Sequence, residues 1–286
     1  AASGVVRSRR KKGLVSAVSR FGLSSMRVMI AQAMRQLGGQ FVYAETIKKA
    51  VDQAKQSGAL MSFDMLGEAA RSEDDCQRYF KAYQQAIIAV GTAAKTLSAD
   101  IDVNMKSGVS VKLSALSCQF KSQYWEHAQD DLLTRVLELA HLAKTYDIPL
   151  TIDAEEAGRL APTLSVFRYL RSHPSLAGWS GLGLVVQAYA RHAGSVIDTL
   201  LALARTQKTR FHLRLVKGAY WDSEIKLAQE KGLKDFPVFT KKVNTDRAYL
   251  AHARRLLEAT DCVHPQFATH NAYTLAAVAH MAKQIN

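Results

Sequence analysis

Phe211-His212-Leu213-Arg214-Leu215-Val216-Lys217-Gly218-Ala219-Tyr220-Trp221-Asp222 reads as a buried strand whose C-terminal end releases cations, a glycine, two aromatics and a carboxylate. A strand that only filled a core would not need that ending. Glycine lets backbone approach a ligand, lysine brings a charge suited to phosphate, and Tyr220 and Trp221 offer flat faces to a ring. The segment alone indicates a binding site of unspecified ligand. Its plain alternative is a strand-to-helix turn carrying ordinary surface aromatics.

The same pattern recurs along the chain. Short apolar runs at 59–66, 109–116, 149–154, 182–188, 212–218 and 266–271 alternate with long amphipathic segments. Ser72-Glu73-Asp74-Asp75 carries a helix-capping signal, with Asp where Glu or Gln is usual. Leu132, Leu133, Val136, Leu137, Ala140 and Ala143 form a stripe of helical period, and Pro162-Thr163 suits a first helical turn. Residues 26–37 and 45–55 read as N-terminal helices, the first ending at Gly38-Gly39, and 272–282 as the last helix. Strands alternating with helices, without hairpin signals, predict a parallel sheet.

A doubly wound sheet would want a glycine fingerprint after its first strand, yet 59–70 holds only Gly67. A barrel instead collects functional groups at the ends of many strands. Polar groups recur in or after every run: Asp64 and Glu68, Lys112, Asp153 with Glu155 and Glu156, Gln187, Arg214 with Lys217, and Thr269-His270-Asn271. The expected fold is α/β, a TIM-like (β/α)8 barrel with six of its eight strands in this chain. The expected organisation is a basic arm or linker at 1–25, helices at 26–56 and the barrel at 57–286, its C-terminal part missing.

The net charge of +13, from 38 Lys and Arg against 25 Asp and Glu, is concentrated at the N-terminus. Residues 1–43 hold eight basic and no acidic residues, which leaves 30 against 25 for the rest. Such an arm suits nucleic acid, an anionic membrane surface, a transit peptide or a solvated linker. The linker is the leading reading, and a start without Met fits an excised or processed chain. No run of 18 apolar residues is present, so no helical membrane span is expected. Cys76, Cys118 and Cys262 lie far apart in sequence, match no metal spacing and read as reduced thiols in a cytosol-like compartment.

Lys112 stands inside the apolar run at 109–116, where a lysine is costly unless paired; Asp153, one strand later, is its expected partner. The pair suits a substrate carboxylate or amine, or else a buried structural ion pair. Gln187 can donate and accept at once, matching the edge of a flavin or nucleobase, or it caps a turn. Thr240, Lys241 and Lys242 precede a helix starting near Val243, a placement suited to phosphate, or to a solvated basic loop. His270 could act as a base or phosphate contact, but no second His or Cys lies at zinc-ligand spacing. There is no Ser-His-Asp signature, P-loop or dinucleotide glycine fingerprint. Cations, amides and aromatics without a nucleophile suit a protein that positions a cofactor.

Three segments carry a resemblance: residues 214–225 from Arg214 to Ile225, Gln266-Phe267-Ala268-Thr269-His270-Asn271, and Met65-Leu66-Gly67-Glu68-Ala69-Ala70. They closely resemble the proline dehydrogenase domain of the bifunctional bacterial proline utilization A flavoenzymes, from about residue 28 to 286. The resemblance implies a distorted barrel holding FAD, oxidation of L-proline to Δ1-pyrroline-5-carboxylate, and electron transfer to a membrane quinone. It further implies a cytoplasmic protein peripherally associated with the membrane and an aldehyde dehydrogenase domain on the same full-length chain. By position, Lys112 resembles the lysine that meets the proline carboxylate, Asp153 lines that pocket beside the flavin, and Tyr220 packs on the proline ring. Arg214 and Gln187 correspond to flavin contacts, and Lys217, Gly218, Ala219 and Trp221 line the cofactor. Thr240, Lys242, Thr269, His270 and Asn271 match its phosphate and adenosine side. The family's last two strands and final helix, with an Arg-Arg pair and a glutamate for the substrate, have no counterpart here. Rival expectations are another FAD barrel, such as a methylenetetrahydrofolate reductase, or a nucleic-acid or membrane-surface binder acting through the basic arm.

Overall fold

The computed structural model describes residues 25–30, 32–33, 39, 42–98 and 100–285. The arm assigned to 1–25, apart from Ser25, lies outside the described residues, as do residues 34–38 of the first expected helix and its end; 25–30 and 32–33 are helical. The chain divides into two units, Ala1–Gln53 and Ala54–Asn286. Helix α1 (Ile47–Ser57) covers most of the segment expected at 45–55.

Six strands follow: β1 (Ser62–Asp64), β2 (Gly108–Val111), β3 (Leu150–Ile152), β4 (Leu182–Gln187), β5 (Phe211–Val216) and β6 (Val263–Phe267). Every neighbouring pair is parallel, and the order across the sheet is the order along the chain. A doubly wound sheet reverses direction at a switch point; unbroken sequential order is how a barrel wall is laid down. The connecting helices are α2 (Glu73–Ala94), α3 (Leu113–Leu116), α4 (Trp125–Thr145), α5 (Leu160–Ser172), α6 (Ala193–Gln207), α7 (Trp221–Glu230) and α8 (Lys242–Leu257), with α9 (Ala272–Ile285) after β6. Among the described residues β1 and β6 pair on one side only, so the six strands form an open barrel wall.

Local chemistry explains the boundaries. Ser72 Oγ accepts the Asp75 N–H at 3.2 Å and caps α2, while the Asp75 carboxylate returns to the Arg71 N–H at 3.1 Å. Strands β2, β3 and β4 are buried along their whole length, as expected for parallel strands covered on both faces. On α4 the buried stripe is Leu132, Val136, Leu139, Ala140 and Ala143, with Leu133 and Leu137 half-buried beside it.

Two boundaries differ from expectation. Strand β2 stops at Val111, so Lys112 is not inside a strand but starts the short helix α3. The apolar run continued because Leu113, Ala115 and Leu116 are fully buried as a helical turn, and buried strand and buried helix share one composition. The sixth strand begins at Val263 and ends at Phe267, not at 266–271. It contains Pro265, which lacks a ladder N–H and is tolerated here where β6 pairs on one side only.

His212 in β5 is completely buried, with Nε2 2.7 Å from Thr151 Oγ1 and Nδ1 without a partner. Burial, reinforced by Arg214 and His264, pushes its pKa down to about 3 from an ordinary 6.5. The unfolded chain therefore takes up a proton near pH 6.5 that the folded chain refuses until about pH 3. Stability from this group is present above pH 6.5 and is lost as pH falls, at up to about 1.4 kcal/mol per pH unit. Denaturant titrations from pH 7 to 4 should show His212→Gln losing less stability on acidification than the parent. Parallel pH profiles would remove His212 from the acid response.

Candidate functional site

The strand ends converge on a cleft of about 700 Å³. It gathers Lys112, Asp153, Gln187, Lys217, Gly218, Ala219, Tyr220, Lys242, Thr269, His270 and Asn271 from the expected set. Three of the expected residues lie elsewhere. Trp221 is exposed and donates its indole N–H to the Phe239 carbonyl at 2.9 Å, and Thr240 beyond it is exposed; neither lines the cleft. Arg214 lines an adjoining cavity of about 260 Å³ on the inner face of the wall.

At one end lies a compact charge cluster. Lys112 Nζ hydrogen-bonds Asp64 and stands 3.3 Å from Asp153 Oδ2, whose Oδ1 is 3.8 Å from Arg214 Nη1. Burial acts to lower the Lys112 pKa, but the Asp64 hydrogen bond and the Asp153 charge outweigh it and the net shift is upward. Burial raises the Asp153 carboxyl against the opposing pull of Lys112. Lys112 thus stays an ammonium, and with two of its three N–H groups committed it keeps one for an incoming carboxylate. The paired aspartates present negative charge to an amine.

In the same cleft the Tyr220 hydroxyl donates to Glu68 Oε2 at 3.0 Å, and burial, then the Glu68 charge, pushes the phenol pKa up. The turn before Tyr220 depends on Gly218, at φ +139°, where a Cβ would lie 2.5 Å from the Tyr189 ring. Gln187 spends its carboxamide on protein: Nε2 donates to the Glu155 carbonyl at 2.9 Å, and Oε1 accepts the Ala219 N–H at 3.2 Å.

The other end suits phosphate. Helices α8 and α9 both begin there, bringing the positive ends of two helix dipoles. Lys217 and Lys242 stand at this end, each bound to a carboxylate oxygen of Asp246, at 2.5 and 2.6 Å. Asn271 caps α9 by accepting the Thr274 N–H at 2.9 Å, and donates its own N–H to Thr269 Oγ1 at 3.1 Å. His270 is exposed at the rim. A glycine turn with no room for a side chain, two lysines and two helix N-termini fit a dinucleotide's pyrophosphate.

Sequence reasoning missed Asp246, although its position four residues after Lys242 on a helix is a readable pairing signal. It also missed the bond between Tyr220 and Glu68, which lie 152 residues apart, and no local pattern announces it. Among the described residues the three cysteines are free thiols, Cys76 and Cys262 buried and Cys118 exposed.

The proline dehydrogenase family model matches residues 47–286. The bifunctional protein PutA of Salmonella typhimurium is 46% identical over 270 residues, covering 93% of this chain and 20% of that protein. Its Rhizobium meliloti counterpart is 45% identical over 267 residues, with 93% and 21% covered. Among solved structures, a mutant proline utilization A from Bradyrhizobium japonicum superposes with a TM-score of 0.79 at 46% identity, covering 93% of this chain and 27% of that one. Proline utilization A from Bdellovibrio bacteriovorus, inactivated by N-propargylglycine, gives 0.83 at 31% identity, with 91% and 28% covered. The chain therefore spans about a fifth of the length of the curated PutA relatives it matches.

Proposed function

The chain belongs to the proline dehydrogenase family, and from that premise we propose that it oxidises L-proline to Δ1-pyrroline-5-carboxylate using FAD. In the same proposal electrons pass to a quinone, the domain works in a cytoplasmic protein that touches the membrane peripherally, and an aldehyde dehydrogenase domain shares the full-length chain. The carrying observation is that Lys112 and Asp153, with Asp64 bonded to Lys112, share one cleft with Tyr220 and the N-terminal ends of α8 and α9.

FAD, when bound, would supply the hydride acceptor for proline C5. Lys112 holds the proline carboxylate, Asp153 and Asp64 keep Lys112 charged and oriented, and Tyr220 covers the ring. Gln187, Lys217, Gly218 and Ala219 would line the flavin, with Arg214 in the adjoining cavity and Trp221, outside the cleft, taking no part. Lys242, Thr269, His270 and Asn271 would hold the phosphate and adenosine side. The bonds from Lys217 and Lys242 to Asp246 keep both ammonium groups at the α8 N-terminus.

The test is Lys112→Ala in the full-length flavoprotein. Losing a charge-assisted contact costs roughly 1.5–3 kcal/mol, so the proline KM should rise roughly 10- to 150-fold at unchanged flavin content. Proline-dependent bleaching of the flavin absorbance supplies the assay. Loss of folding without a specific effect on proline would return Lys112 to a structural role, and no bleaching of the parent protein by proline would sink the function itself.

A further inference from the structure

Behind the cleft, an unbroken run of hydrogen bonds ties together the C-terminal ends of the first five strands. After β1, the Ala69 and Ala70 N–H groups donate to Ser114 Oγ and the Ser114 carbonyl, at 2.9 and 2.8 Å. The Ser114 N–H, two residues beyond Lys112, donates to Glu155 Oε1 at 3.0 Å. Glu155 stands two residues beyond Asp153, and its carbonyl accepts from Gln187 at the end of β4. Gln187 in turn accepts the Ala219 N–H of the turn before Tyr220. Glu155 occupies the middle of this run with 6% of its surface exposed, and its remaining carboxylate oxygen takes a 2.5 Å bond from Arg159.

We propose that Glu155 is a positioning residue: by gripping the Ser114 N–H it fixes where Lys112 stands relative to Asp153, and through its carbonyl it holds Gln187 against the Tyr220 turn. It does not line the cleft. The Ser114 amide lies in the first turn of α3, where helix geometry gives it no carbonyl partner. Without Glu155 that buried N–H is unsatisfied, and the turn carrying Lys112 must move to find another acceptor. Burial raises the Glu155 pKa on balance, while Arg159 and the Ser114 bonds pull the other way and favour the charged acceptor. This inference rests on the reading of the cleft as a proline site.

The test compares Glu155→Ala, Glu155→Gln and Lys112→Ala, singly and combined, in the full-length flavoprotein. Amide hydrogen exchange across residues 112–116 should quicken in Glu155→Ala and return toward the parent rate in Glu155→Gln, which keeps an acceptor. The proline KM should rise about tenfold in Glu155→Ala with kcat and flavin content nearly unchanged. In the Lys112→Ala background the same change should leave KM where it was, because a residue acting through Lys112 has nothing left to position. An additive double variant, or faster exchange with an unchanged KM, overturns the proposal. If the alanine variant does not fold, Glu155→Asp withdraws the carboxylate by one methylene and carries the same comparison. Absence of proline oxidation in the parent would remove the proposed function, while the exchange measurement still reports whether Glu155 fixes the turn.

Discussion

Replacing Arg214 with methionine should lower kcat/KM for proline by about 100-fold and destabilise the fold by roughly 3 kcal/mol. The guanidinium crosses the inner face of the wall. It donates to Ser62 Oγ at 2.7 Å, Ser110 Oγ at 2.9 Å, Thr151 Oγ1 at 3.3 Å and Gln266 Oε1 at 3.0 Å, one group from each of β1, β2, β3 and β6. Methionine fills similar volume but returns none of these bonds. Ser62 and Ser110 are already 2.9 Å apart and can satisfy each other, so the hydroxyls are not the greater loss. The greater loss is at Asp153, whose carboxyl burial already pushes upward in pKa and which would keep only Lys112 as a nearby cation. A neutralised Asp153 would leave Lys112 drawn to Asp64 alone and off its position, so proline binding and turnover fall together. With the flavin in place, removing a fixed positive charge should also make its reduction potential more negative. Arg214→Lys separates the contributions: it keeps the charge but not the fork, so it should recover part of the activity and little of the stability. Unchanged turnover and potential in a flavin-loaded methionine variant would take Arg214 out of the reaction.

How much of this was legible depended on whether burial or distance governed each residue. Strand β4 was readable almost to the residue, because a parallel strand covered on both faces becomes a continuous apolar run, and β5 nearly so, because Phe211, Leu213 and Leu215 alternate with His212 and Arg214. The same rule misled at Lys112, where the apolar run passes from strand into buried helix without a change in composition. In β6, His264 and Pro265 interrupt the run and hid the strand's first half. Arg214 was identified as functional but expected at the strand end. Alternation along β5 puts His212 and Arg214 on one face, and both reach Thr151, so its inward direction could have been read from the period alone. The bonds from Tyr220 to Glu68 and from Ser114 to Glu155 join residues 152 and 41 positions apart. Tertiary structure alone brings them together, the pairing of β2 with β3 in the case of Ser114 and Glu155, and no local sequence pattern specifies such a pair.

Gly183→Ala should be the most damaging single methyl group in the wall, costing roughly 3–5 kcal/mol and lowering Tm by about 10 °C. Gly183 pairs with Thr151 on one side and His212 on the other, and the His212 ring reaches across it to bond Thr151 Oγ1. A Cβ built on Gly183 would overlap the edge of that ring. Glycine is otherwise a poor strand residue, so space is the reason for it here. Alanine must therefore rotate the ring or displace β4. Rotation breaks the 2.7 Å bond to Thr151 and leaves a fully buried imidazole with neither nitrogen satisfied, since Nδ1 has no partner already. Displacement strains the ladders on both sides of a strand that is buried throughout. Either response disturbs Thr151 and through it the Arg214 network. The cause can be isolated by a second change. His212→Ala opens a cavity and destabilises by itself, but the Gly183→Ala/His212→Ala pair should be more stable than the sum of the single losses predicts, by 1 kcal/mol or more on the usual scale for residues in contact. Thermal and denaturant unfolding of the four proteins decides the matter. A Gly183→Ala variant that melts within about 2 °C of the parent, or strictly additive losses in the pair, would show that the imidazole does not occupy the space above Gly183.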